Sequence, residues 1–253
     1  MAATVMAATV LGYATRAHSQ YMSMFNAYGS AAVNIAGTMS VNAAIGRSAD
    51  IAADRNTSSS PQPTSDSDWV APSPSNAPYS PISYSIDPAI RAEVIASYVE
   101  RIRQTDTAAG NEIEQLFRDR DLIGETAQNF QAYGLDINDL GDVITAYWAI
   151  NWGAVNQSGR PSVDQVQGLR SQFRSILAGS PITQTTTAAE RQQIADDMLV
   201  KLILVDGGVE QSLREGNTAE LQNISRLVQQ SNLASMGIDL AALDLTAQGL
   251  TLR

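Results

Sequence analysis

The stretch Asn138 to Gln157, NDLGDVITAYWAINWGAVNQ, constrains this chain more than any other. From Val143 to Gly159 it has no charged residue, and Tyr147, Trp148, Ile150 and Trp152 set large apolar groups on more than one side of a 3.6-residue period. A helix that is apolar nearly all round needs other helices around it. Trp148 and Trp152 are four residues apart, so their rings share a face. Each of Tyr147, Trp148 and Trp152 is therefore expected in the structural core, contributing roughly 4 to 6 kcal/mol as an upper bound. Truncation of either tryptophan to alanine is expected to cost about 3 to 5 kcal/mol.

The other segments have the punctuation of helices meant to pack on this one. Asp87-Pro88 is an N-cap with proline at the first helical position, followed by a stripe from Ile90 to Ile102. Further helices are expected over about 107–118 and 122–133, the latter stopped at Gly134. Ser162–Gln165 and Thr187–Glu190 read as capping boxes, and Asn217–Glu220 has the same logic with an asparagine cap. Ile238 to Leu252 reads as a short apolar tail that docks on the bundle. No stretch sustains a period of two, so the expected fold is all-α: about seven helices around the central apolar helix, over residues 87–253.

The rest of the chain divides by composition. Residues 1–19 read as a signal peptide, with Ala17 and Ser19 suited to cleavage before Gln20, although no Lys or Arg precedes the apolar run. Residues 20–55 are rich in Ala, Gly and Asn and are read as a weakly amphipathic helical segment; the competing reading anchors residues 1–46 in a membrane. Residues 56–86 are dominated by Ser and Pro and are expected to be a disordered linker, with Trp69, Tyr79 and Tyr84 either docking on the folded domain or anchoring a partner.

Charge and residue inventory then restrict the chemistry. The net charge of -10, with arginines scattered, provides no footprint for nucleic acid and disfavours an anionic membrane surface. There is no cysteine, and the one histidine, His18, falls in the proposed leader. A mature chain without imidazole or thiol has neither a Ser-His-Asp triad nor His- or Cys-ligated metal. No nucleotide-cradling glycine motif occurs, and no cofactor is expected.

Carboxylates remain. Glu125 and Asp142 are the candidates for a catalytic pair of the glycosidase kind, which needs one raised carboxyl facing a second. Asp136-Ile-Asn138-Asp139-Leu-Gly141 matches the first half of a calcium loop and fails at its fifth and twelfth positions, so Asp136, Asn138 and Asp139 are weak metal candidates. The competing reading makes Asp136 or Asn138 a helix cap. The only lysine, Lys201, is expected to snorkel and pair with Asp197 or Asp206.

Taken together, the leader, the Ser/Pro linker, the Leu122-Ile-Gly124 turn, Asp142-Val-Ile-Thr-Ala-Tyr-Trp148 and Leu245-Thr-Ala-Gln-Gly-Leu250 resemble a family of uncharacterised bacterial secreted all-helical proteins over about residues 87–250. The resemblance implies a helical fold and a secreted or periplasmic compartment, and carries over no catalytic residue. The expected function is an exported, non-catalytic module that binds a protein or another envelope component. The alternatives are a carboxylate-only hydrolase acting on glycan or peptidoglycan, and a membrane-associated protein held by residues 1–46.

Overall fold

The computed structural model describes residues 82–178, 186–236 and 238–253. The proposed leader, the segment 20–55 and the Ser/Pro stretch up to residue 81 lie outside the described residues, as do Gly179, Pro181 and Gly237.

Among the described residues there are seven α-helices: α1 Pro88–Thr105, α2 Thr107–Asp119, α3 Leu122–Ala132, α4 Leu140–Asn156, α5 Val163–Ala178, α6 Ala188–Glu215 and α7 Thr218–Met236. The all-α expectation holds, with α4 in the middle. Of its 17 residues only Ile150 and Asn156 escape full burial. Helices α5, α6 and α7 and the 3-10 turn Leu240–Ala242 surround it, while α1 packs on α2 and α6. Both tryptophans of α4 face one side: Trp148 lies 5.4 Å from the Phe173 ring of α5, and the Trp152 indole donates to the Leu243 carbonyl at 2.9 Å.

Local chemistry sets the helix ends. Both halves of the Thr187–Glu190 capping box are present, and α6 stops at Gly216, whose φ of 65° is left-handed and suits a residue without Cβ. Ser162 and Gln165 exchange the reciprocal bonds of the second box, and Asn217 accepts from the Glu220 amide. The cap of α4 differs from expectation. It is Asp139, whose Oδ1 accepts from the amides of Gly141 and Asp142. Three Asx side chains compete in this turn, and tertiary pairing chooses: Ser83 bridges to Asp139, and the Leu140 amide donates to the Ile82 carbonyl.

That bridge also moves the start of the packed region upstream of residue 87. Ile82 and Tyr84 are buried while Ser83 and Ser85 are exposed. The Tyr84 hydroxyl donates to the Ile137 carbonyl at 2.5 Å. Of the three aromatics in the Ser/Pro stretch, Tyr84 docks on the domain; Trp69 and Tyr79 lie outside the described residues.

The C-terminal tail is a β-hairpin. Strands β1 Leu243–Thr246 and β2 Gly249–Leu252 pair antiparallel, with Leu245 opposite Leu250. Four residues are too few for alternation to be read against the helical background. Side chains cover the hairpin's outer edges: Trp152 and Gln165 donate to the carbonyls of Leu243 and Leu245, and the Gln172 amide exchanges two bonds with the Leu250 backbone. An edge whose polar groups are already satisfied does not template a further strand. At Gly168 of α5 a Cβ would sit 2.2 Å from the Ala247 carbonyl oxygen, so the turn lies directly on the helix backbone.

Candidate functional site

At the entrance of α4, the acidic residues serve the fold. Asp142 is fully buried, and its carboxylate accepts four bonds. Arg170 donates to both oxygens, at 2.7 and 2.6 Å, Arg174 adds a contact at 3.3 Å, and the Asp136 amide closes the set at 2.9 Å. Two parallel N–H donors on one carboxylate form the strongest kind of neutralising pair. The carboxylates of Asp136 and Asp139 accept from backbone amides, of Asn138 and of Gly141 and Asp142 respectively. The Asn138 side-chain oxygen is buried and receives no bond. Among the described residues no three acidic groups converge as metal ligands would.

Glu125 stands elsewhere. It lies in the first turn of α3, about half exposed, and pairs with Arg120. The structure does not bring it together with Asp142. Each answers to its own arginine, and only Glu125 lines a cavity described next. Lys201 is buried, with its ammonium 2.5 Å from Asp197, four residues away on α6. Burial lowers its pKa and Asp197 opposes the shift. Asp197 is thus the partner, and the lysine does not reach solvent as snorkelling would require.

Beside α6 lies a half-open trough. A cavity of about 260 Å³ lies between α3 and α6, over Ala146, Ala149 and Ile150 of α4. A second cavity of about 190 Å³ adjoins it, sharing Ile150, Arg160, Pro161, Asp206 and Glu210. Arg160 therefore stands between the two compartments. Its guanidinium donates to Asp206 at 2.9 Å and also to Glu210. Burial raises the Asp206 carboxyl above the usual carboxylate range, with Arg160 pulling the other way. Every carboxylate on the trough walls thus faces an arginine, and the floor is apolar.

Arg160, Arg170, Arg174 and Asp206 gained no functional weight from the sequence alone. One signal was available: Arg170 and Arg174 are four apart on one face of α5, and Asp142 is the only acid inside α4. The trough had no such signal, because its lining runs from Leu116 to Arg214.

The fold and this site define an all-α bundle with a docked C-terminal hairpin and a self-neutralised trough along its longest helix. The chain belongs to a family of unknown function, DUF6683, which matches residues 1–253. The match takes in the whole chain, beyond the 87–250 span that carried the sequence resemblance. No curated protein and no solved structure matches it. No helix among the described residues is long and apolar enough to cross a membrane.

Proposed function

We propose that the protein is an exported, non-catalytic helical module of the bacterial envelope that binds an uncharged apolar polypeptide segment in the trough along α6. The observation that supports this reading is the pairing of every trough carboxylate with an arginine above an apolar floor. Such walls disfavour a charged ligand, which breaks a pair or is buried alone, and favour apolar side chains. The sequence supports export through residues 1–19, and loss of that leader also removes the one histidine.

A photo-crosslinking residue at position 213, where Leu213 is half exposed on the trough rim, tests this in growing cells. The expected result is one envelope-fraction adduct, absent from a control at exposed Gln222 of α7, whose crosslinked peptide is apolar and uncharged. N-terminal sequencing of the recovered chain reads the cleavage point in the same experiment. No enrichment over the control, or a chain recovered uncleaved from the cytoplasm, overturns the proposal. The hydrolase alternative rests on the raised Asp206 carboxyl beside Glu210. Glycan turnover that Asp206→Asn abolishes would put that alternative in place of binding.

A further inference from the structure

The trough calls for an occupant without charge. Arg120 takes Glu125, Arg160 takes both Asp206 and Glu210, and Arg214 stands on the same wall, so the trough's three arginines balance its three carboxylates. Within this chain, residues 21–46 have the matching composition. They run for 26 residues without a charged side chain, and no other charge-free run in the chain is as long. The run holds Met22, Met24, Phe25 and Tyr28, side chains with large apolar area and, in methionine, adaptable shape. It begins just behind the proposed cleavage point before Gln20, so a mature chain keeps it.

Tethering decides between this segment and a second copy. The chain reaches the folded domain at Ile82, whose carbonyl accepts from the Leu140 amide at the start of α4. The trough floor at Ala149 is nine residues further along the same helix, about 14 Å at 1.5 Å per residue. Residues 47–81 supply 35 residues of Ser/Pro-rich chain between the run and Ile82. A coil of that length has a root-mean-square span of about 30 Å, twice what is needed. A tether of that reach holds the segment at an effective concentration on the order of millimolar. A second copy at micromolar concentration competes at a disadvantage of about a thousandfold.

We infer that residues 21–46 of this same chain are the resting occupant of the trough, docking in cis over Ala146, Ala149 and Ile150 until a partner segment of like chemistry displaces them. This inference rests on the trough-binding reading above and assigns that site its first ligand and its competitor.

The chain has no cysteine, so one introduced thiol is the only thiol in the full-length protein. Leu213→Cys and Asn129→Cys place a benzophenone maleimide on the trough rim at exposed positions, and Gln222→Cys places it on α7, off the trough. In purified full-length protein the two rim labels are expected to give intrachain crosslinks mapping within residues 21–46, at least about tenfold above the α7 label. Met24→Asp with Phe25→Asp is expected to cut that yield by at least about tenfold, because a charge replaces each apolar anchor.

Equal crosslinking from all three labels, a crosslinked dimer in place of an intrachain product, or a yield indifferent to the aspartates overturns the inference. Loss of the intrachain product alongside a partner adduct at position 213 in cells overturns cis docking and leaves the binding reading standing. The intrachain product with no partner adduct supports cis docking and overturns the binding reading.

Discussion

Asp142→Asn is the change that separates a seated fold from a poised acid. Oδ1 accepts from Arg170 and Arg174, and Oδ2 from Arg170 and the Asp136 amide, in a site that has no solvent exposure. Asparagine keeps the shape but turns one oxygen into a donor, so whichever way the amide settles, two donors lose their acceptor. Hydrogen bonds to charged groups contribute roughly 1.5 to 3 kcal/mol each, and removing one partner of a buried pair costs about 3 to 5 kcal/mol. The arginine side chains are 20% and 33% exposed and recover part of that loss from water. The expected net cost is therefore about 3 kcal/mol, or roughly 6 to 12 °C in Tm for a folded unit of this size. Urea titration followed by tryptophan fluorescence reads it, with the m-value unchanged. A cycle with Arg170→Met is expected to show coupling of about 2 kcal/mol. A loss below about 1 kcal/mol, with no coupling, refutes the argument that this carboxylate is the joint between α4 and α5.

Three further changes test other joints. Gly168→Ala puts a Cβ 2.2 Å from the Ala247 carbonyl oxygen, a clash with backbone that no rotamer relieves; a cost of about 3 kcal/mol and faster amide exchange at Leu250 are expected. Trp152→Phe preserves the aromatic packing and removes the indole bond to Leu243, leaving a buried carbonyl unpaired at a cost of about 1 to 3 kcal/mol in the same urea assay. Lys201 has a folded pKa below its ordinary 10.5, so the native chain releases that proton before the unfolded chain does. Its contribution to stability is therefore lowest below the folded pKa and rises as pH climbs towards 10.5. Lys201→Met is expected to flatten that rise on the approach to pH 10 and to leave stability at pH 7 within about 1 kcal/mol of wild type or above it, since Arg101 still pairs with Asp197. Burial holds Tyr84 and Tyr98 above their ordinary values and works the other way above pH 10, so the comparison is made below it.

Much of the fold was legible because local chemistry and global packing agree. A charge-free aromatic run predicts a buried helix, and α4 is one. The capping boxes at Ser162 and Thr187 predict helix starts where α5 and α6 begin. Elsewhere tertiary contacts decide. In Asp136-Ile-Asn-Asp139 several residues are chemically fit to cap α4, and the pairing of residues 82–84 with this turn accompanies the choice of Asp139. Leu243, Leu245 and Leu250 read as a docking tail, yet they form a hairpin because Trp152, Gln165 and Gln172 supply its edge hydrogen bonds from other helices. The candidate site was legible only as residue types. That Asp142 meets two arginines depends on how α4 and α5 pack, and that Asp206 meets Arg160 depends on how the loop after α4 meets α6.

The trough follows from a division of labour on α4. Its tryptophans face α5 and the hairpin, where they fill the core, while small residues at positions 146 and 149 form the floor beneath α3. Helix α3 packs chiefly on α6 and scarcely on α4. Ile123 and Phe130 tie α3 to the core, and the Gln167 side chain of α5 donates to the Tyr133 carbonyl at its end. A rigid cavity of about 260 Å³ falls below the roughly 300 to 1,000 Å³ usual for ligand sites. The adjoining compartment of about 190 Å³, which shares Ile150 and Arg160 with it, extends the trough into that range on the side of α4 away from the tryptophans. The same central helix thus gives the bundle a filled core on one face and, on the other, the apolar floor of the trough.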